Sequence, residues 1–248
     1  MRIILLISFI LTLGLLQSNA QENPEIYNHL GLNIKYGIDR PLGELNNRFG
    51  LFNEAGIGFE YFVANKNLFI SAEADFLFGS SVKEDVIAPL RISNGISILG
   101  VSGSYAQVFL RMRGSYFGLM FEKLIAANEY GRGWRIGLGA GLFSHRVRVQ
   151  DDLNTVPQVQ NEYVKGYDHR TLGPALREKI AYNYVNNARR VFFSIGLEFT
   201  QGFTKNIRAL NYDSMTSENE SRLDMSVGLN IKYTLVFRNS SPAETIYY

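Results

Sequence analysis

Leu223-Asp224-Met225-Ser226-Val227-Gly228-Leu229-Asn230-Ile231-Lys232-Tyr233-Thr234-Leu235-Val236-Phe237 is the stretch that decides the fold. Its odd positions, from Leu223 and Met225 through Tyr233 to Phe237, are large and apolar. Its even positions Asp224, Ser226, Gly228, Asn230, Lys232 and Thr234 are small or polar. Successive side chains of a β-strand leave opposite faces, so a period of two marks a strand with one apolar and one polar side. About ten residues suffice for a tilted strand to cross a bilayer, and this stretch has the length.

The same alternation recurs upstream. Leu30, Leu32, Ile34, Tyr36 and Ile38 enclose Gly31, Asn33, Lys35 and Gly37. Ala55, Ile57, Phe59, Tyr61 and Val63 enclose Gly56, Gly58 and Glu60. Leu68, Ile70, Ala72, Ala74, Phe76 and Phe78 enclose Ser71, Glu73 and Asp75. Trp134, Ile136, Leu138, Ala140 and Leu142 enclose Arg135 and three glycines. Val191, Phe193, Ile195, Leu197 and Phe199 enclose Ser194, Gly196, Glu198 and Thr200. Two further strands are blurred. In 105–124, Phe117, Leu119 and Phe121 share a face with Arg111 and Arg113, which predicts a bulge near Gly114 or a strand beginning above the bilayer. In 172–185, Leu172, Leu176, Ile180, Tyr182 and Tyr184 share a face with Glu178, for which the pattern offers no account beyond a bulge or a height above the membrane.

Eight strands result. Connections 64–67, 125–132 and 186–190 are short; 40–52, 80–104, 151–171 and 204–221 are long and polar. Short turns on one side and long loops on the other are the layout of bacterial outer-membrane barrels. An even strand number puts both termini on the short-turn, periplasmic side. Pro41, Pro89 and Pro157 fall in the long segments, and Pro174 near a loop end. The expected fold is all-β: an eight-stranded antiparallel up-and-down transmembrane β-barrel over 21–237.

Composition agrees. Of 248 residues, none is Cys, 23 are Gly, and 13% are aromatic, so the chain does not rest on disulfides. A formal net charge of +2 argues against a nucleic-acid partner. Met1-Arg2, the apolar run Ile3–Leu16 and Gln17-Ser18-Asn19-Ala20 have the layout of a secretory signal peptide over 1–20. No later segment is a helical span, and a chain that enters a membrane without one must close as a barrel. Residues 238–248 read as a short C-terminal tail. Phe237 and the closing Ile246-Tyr247-Tyr248 are alternative aromatic ends for the insertion machinery.

A soluble barrel of the lipocalin kind also alternates, with its apolar face inward. Here the apolar face carries large residues on every strand, more than a narrow lumen can enclose, whereas Gly, Ser and Asn fit a crowded interior. Tyr36, Tyr61, Trp134, Tyr182, Tyr184 and Phe237 near strand ends suit interfacial girdles. The polar face then lines the lumen with Lys35, Glu60, Glu73, Asp75, Arg135, Arg177, Lys179, Glu198, Asp224 and Lys232. Unpaired charges are costly in so narrow a space, so five acids and five bases predict an interlocked plug of salt bridges.

Gly139-Ala140-Gly141-Leu142-Phe143-Ser144-His145, Lys165-Gly166-Tyr167-Asp168, the run Gly196–Thr204, Asn211-Tyr212-Asp213 and Ser221-Arg222-Leu223-Asp224 together resemble a family of small outer-membrane barrel proteins from Bacteroidota. The resemblance spans roughly 130–237 and implies location and fold. It brings no catalytic residue or cofactor. Some small barrels of that phylum are subunits of envelope machines for barrel assembly or type IX secretion.

The chain shows no G-x-S-x-G, H-E-x-x-H or Walker motif. Its three histidines are His29, His145 and His169. His145 beside Ser144, or His169 with Asp168 or Asp151-Asp152, are the available rim pairs, although adjacent strand residues face opposite ways. Asp151-Asp152 could also hold a divalent cation, but two loop acids are usually solvated. The leading expectation is a non-enzymatic structural or accessory barrel, set in outer-membrane lipid and lipopolysaccharide and docking a protein partner of the envelope. Its docking surface would be loop 80–104, apolar at Val86, Ile87, Ala88, Leu90, Ile92, Ile96, Ile98 and Leu99. A rim-site enzyme acting on lipid or peptide and a small-solute channel are the rivals.

Overall fold

Each alternating stretch forms one long strand of a computed structural model: β1 His29–Gly43, β2 Phe52–Val63, β3 Leu68–Gly79, β6 Val108–Ile125, β7 Gly133–Asp151, β8 Thr171–Val185, β9 Val191–Asn206 and β10 Ser221–Phe237. The structure describes residues 28–92, 95, 97–128, 131–185, 191–217 and 220–237. The expected signal peptide, the turn 186–190 and the tail lie outside the described residues. A four-residue helix α1, Leu45–Arg48, follows β1, and a small hairpin, β4 Ile98–Leu99 with β5 Tyr105–Ala106, rises within the longest loop.

The eight long strands close in the order β1-β10-β9-β8-β7-β6-β3-β2, every pair antiparallel. Closure runs from Leu30 opposite Phe237 to Gly43 opposite Asp224, so no sheet edge remains. The start of β1 and the end of β10 meet at the end of the short turns, here the turn end. The opposite end carries the loops.

The exterior is apolar. Ile34, Ile57, Phe59, Phe117 and Leu142 are each more than half exposed. Burying such a side chain is worth about 1.5–3 kcal/mol, so water would penalise this wall, whereas hydrocarbon would not. The charges point inward. This arrangement sets aside the lipocalin alternative, whose polarity is the reverse. Trp134 and Tyr182 meet edge to face, 5.5 Å between ring centres, near the turn end, where a girdle belongs.

Neither blurred strand has the expected bulge at its break in pattern: the ladders are continuous through Gly114 and through Glu178. The ladder between β6 and β7 is unbroken from Val108–Asp151 to Ile125–Trp134, and that between β6 and β3 is also continuous. There is no bulge at Gly114; β6 projects beyond the apolar wall. Glu178 faces outward, half-buried, and its Oε1 accepts a hydrogen bond from Gln201 Nε2 on β9 at 3.3 Å. Pro41, expected in a loop, lies inside β1. It is tolerated because pairing with β2 ends at Asp39 and Phe52, so the missing N–H leaves no rung empty on that side. At Gly173 and Pro174 the β8–β9 ladder skips two rungs and resumes in the same register.

Candidate functional site

The interior of the barrel is the place where functional side chains converge. It is built in three levels. The turn end holds Phe62, Phe69 and Leu124, all buried, with the His29 ring 5.1 Å from Phe62 and 4.9 Å from Phe192. The middle is charged. The loop end holds Phe52, Leu77, Met112, Tyr116, Phe143 and Val147, with Leu45 and Phe49 of the first loop.

The charged level has two tiers. Nearer the turns, Arg135 donates to Glu60 at 2.6 Å and to Glu122, while Lys232 donates to Glu60 at 2.8 Å. Nearer the loops, Lys35 pairs with Glu54, with Asp75 at 2.9 Å, with Glu198 at 3.2 Å and with Glu73 at 3.7 Å. Arg177 pairs with Asp75 and lies 3.4 Å from Glu54, 3.5 Å from Glu198 and 3.6 Å from Glu73. Lys179 joins the tiers, 2.8 Å from Glu198 and 3.7 Å from Glu122. The arginines also bind the apolar levels, with guanidinium carbons 3.7 Å from the Phe69 ring centre and 3.6 Å from that of Tyr116.

All ten residues read from parity are buried inside the barrel, but the grouping differs. Asp224 stands apart from the ion network. Its Oδ2 lies 2.8 Å from His145 Nε2 and accepts from Thr204 at the loop end. Lys232, which parity allowed beside Glu198, serves Glu60 and Glu122. Glu54 and Glu122 belong to the network although the sequence reading omitted both. Glu54 shares the parity of Gly56, Gly58 and Glu60 but precedes the first clear apolar position of its strand. Glu122 shares that of Met120, on the strand that Arg111 and Arg113 obscured. Five cations thus face six carboxylates: Glu54, Glu60, Glu73, Asp75, Glu122 and Glu198.

Space is made by glycine. Gly118 and Gly141 are opposite each other on β6 and β7. A β-carbon on Gly141 would collide with the Phe117 carbonyl and come within 2.7 Å of Gly118 Cα.

The loops cover the open end. Val86 and Ile87 are wholly buried and Ile98 nearly so, packed on the loop-end core. This corrects the expectation of an exposed apolar loop over 80–104 in part: Val86, Ile87 and Ile98 enter a core, the inner face of the barrel's own loop end, Leu90 packs partly against it, Ala88 and Leu99 stay exposed, and Ile96 lies outside the described residues. Charged contacts pin the cap. Arg48 Nε donates to Glu84 at 2.6 Å and its Nη2 to the His169 carbonyl at 2.9 Å. His169 Nδ1 lies 3.0 Å from Glu84 Oε1, and Nε2 2.8 Å from Asp213 Oδ1. One residue from each of the four long loops joins this chain.

Burial pushes the Glu84 carboxyl up and the His169 ring down. The hydrogen bond and charge between them outweigh burial, with Arg48 adding to Glu84 and Asp213 to His169. Glu84 is held at about 2 and His169 is raised. The depressed carboxyl contributes stability above its ordinary 4.5, lost as pH falls through about 2. The raised imidazole contributes stability that is full below its ordinary 6.5 and lost as pH rises through its folded value. The clamp is therefore whole between about pH 4.5 and 6.5.

None of the rim pairs weighed from sequence forms. Ser144 Oγ donates to the Thr171 carbonyl at 2.8 Å, turned away from His145. Asp168 serves Arg208 at 2.7 Å, and Asp151 accepts from the Val156 N–H at 2.7 Å. His145 is fully buried.

Strand order, closure and polarity define an eight-stranded up-and-down barrel with a charged interior and an apolar wall. Solved structures of similar shape include Ail, the attachment invasion locus protein of Yersinia pestis, in complex with the heparin analogue sucrose octasulfate. It is 9% identical, covering 85% of this chain and 100% of that one with a TM-score of 0.46. Another Ail structure is 11% identical with a TM-score of 0.42, over 85% of this chain and 100% of that one. The N-terminal β-barrel domain of Pseudomonas aeruginosa OprF is 10% identical over 84% of this chain and 100% of that one, with a TM-score of 0.37. No family model and no curated protein matches the chain.

Proposed function

We propose that the chain is a sealed, non-enzymatic barrel of a bacterial outer membrane, an accessory or structural subunit that works through its surfaces. The observation carrying this is the buried interior: an aromatic level, an ion network and a capped apolar level follow one another from the turn end to the loop end. The first strand begins and the last strand ends at the turn end, which is periplasmic in this reading, and the resemblance to small Bacteroidota barrels supports the same setting. His145, wholly buried, and Ser144, committed to a backbone carbonyl, argue against a rim hydrolase.

With Val86, Ile87 and Ile98 of loop 80–104 folded inward, the docking surface is the hairpin of that loop. Val101 and Tyr105 are 73% and 70% exposed. Leu153, equally exposed, lies in the next loop, which the hairpin touches through the Val101 N–H and the Thr155 carbonyl, 3.0 Å apart. An apolar tip held clear of both lipid and core suits a protein partner of an envelope assembly or secretion machine. A photo-cross-linking residue at Val101 or Tyr105 should give one discrete adduct in intact cells, and one at lipid-facing Leu229 should not. Absence of an adduct at every tip position would sink the docking role.

A further inference from the structure

Four arginines form a square on the outer wall. Arg111 stands directly opposite Arg148 across the β6–β7 ladder, and Arg113 directly opposite Arg146. All four have the parity of the lipid-facing residues Phe117 and Leu142. Like charges directly opposite on one sheet face repel, and here two such rungs are stacked two residues apart, roughly 7 Å along the strand. Among the described residues no carboxylate forms an ion pair with Arg111, Arg113 or Arg148. Arg146 reaches only Asp168, at 3.6 Å, which Arg208 already holds with two bonds. The interior of this protein pairs its charges closely, so an uncompensated square on the exterior calls for a partner from outside.

The height identifies the partner. Arg146 is twelve residues above Trp134 on β7, roughly 40 Å along the strand and, at a tilt near 40°, about 30 Å of height. The apolar band of such a barrel is about 25 Å tall between its girdles. The lower rung therefore stands at the loop-end surface of the membrane and the upper rung about one headgroup layer beyond. The heads rest beside aromatic rings of the outer wall: the guanidinium carbon of Arg113 lies 6.0 Å from the Phe76 ring centre and that of Arg111 5.7 Å from that of Phe109, cation–π contacts that keep the charges at the rim of the apolar band. At that height the outer leaflet offers phosphate, and guanidinium forks match phosphate oxygens bidentately.

We infer that Arg111, Arg113, Arg146 and Arg148 are a binding site for the phosphates of lipopolysaccharide in the outer leaflet, one phosphate per rung. The inference rests on the membrane reading with the loop end outside, and not on protein docking. The test uses full-length mature barrel in phosphatidylcholine vesicles with and without lipopolysaccharide. The readout is the temperature at which the folded band converts on gels, together with lipopolysaccharide retained per barrel after detergent extraction. Lipopolysaccharide should raise the conversion temperature of the wild type and of a turn-end control, Lys66→Gln with Lys123→Gln. It should not raise that of the variant carrying Arg111→Gln, Arg113→Gln, Arg146→Gln and Arg148→Gln, whose retained lipopolysaccharide should fall at least tenfold. Without lipopolysaccharide the fourfold variant should fold at least as well as wild type, because the repulsion is gone. Enzymatic removal of the phosphates should abolish protection. Equal protection of the fourfold variant, or equal protection by dephosphorylated lipopolysaccharide, overturns the site. So does protection by soluble heparin where lipopolysaccharide gives none. Failure of the wild type to enter vesicles would overturn the membrane reading and this site together; entry without protection overturns the site alone.

Discussion

Replacing Glu198 with Leu should destabilise the barrel more than any change of similar size on its outer wall. Glu198 is inward and buried, with Lys179 at 2.8 Å, Lys35 at 3.2 Å and Arg177 at 3.5 Å. The loss does not fall evenly. Lys35 and Arg177 keep Asp75 and Glu54. Among the described residues Lys179 keeps only Glu122 at 3.7 Å, and Glu122 already serves Arg135 and Lys232. Removing one side of a buried pair typically costs about 3–5 kcal/mol, a factor of about 10² to 10⁴ in the unfolding equilibrium. Ile195→Leu, on the lipid face, should cost less than about 1.5 kcal/mol. Lys179→Met added to Glu198→Leu removes the stranded cation and should recover about 2 kcal/mol or more, a coupling that a double-mutant cycle measures. The assay is urea unfolding of the barrel in lipid vesicles. If Glu198→Leu lowers stability by less than about 1 kcal/mol and Ile195→Asp is also tolerated, the two faces are reversed and the membrane reading falls.

Three further outcomes are expected. In planar bilayers the intact barrel should carry no steady current, since side chains occupy the lumen from Phe69 to Val147; stable ohmic openings at low voltage would refute the plug. Gly141→Val should leave the protein as the unfolded gel band under conditions that fold the wild type, because its β-carbon would meet the β6 backbone; a heat-modifiable folded band would contradict the packing. Protease cutting within the four long loops should be slowest between about pH 4.5 and 6.5 and faster on both sides, and His169→Gln should remove the alkaline limb; an unchanged alkaline limb would show that His169 does not hold the cap.

The strands were legible in the sequence wherever one face met lipid and the other met packed charge, because both solvents then enforce the period of two. Legibility failed where a strand left that environment. Met112, Tyr116, Phe143 and Val147 face inward yet are apolar, since at the loop end the lumen is closed by hydrophobic packing, and Phe62 and Phe69 do the same at the turn end. Parity taken as apolar-out cannot see such positions. Arg111 and Arg113 broke the pattern for the converse reason: they face outward where β6 projects beyond the apolar part of the wall. The clamp of Arg48, Glu84, His169 and Asp213 was invisible because its members lie in four loops far apart in sequence, and only closure of the ring brings those loops together.

The placement of charge follows from what each level of the wall touches. Inside, charges are dense and interlocked, five cations against six carboxylates, so that Glu60 holds two cations and Lys35 four carboxylates. In mid-wall the outward face bears Glu178, which shares a hydrogen bond with Gln201 and so keeps one neutral donor where lipid supplies none. Beyond the apolar part of the wall the outward face carries four arginines that, among the described residues, have no carboxylate of their own beyond the one borrowed from Arg208. A barrel under selection only to stay folded would gain by replacing either rung of that square with neutral residues, since each places like charges face to face. The square therefore belongs to what lies outside the protein, as the interior network belongs to what lies within it.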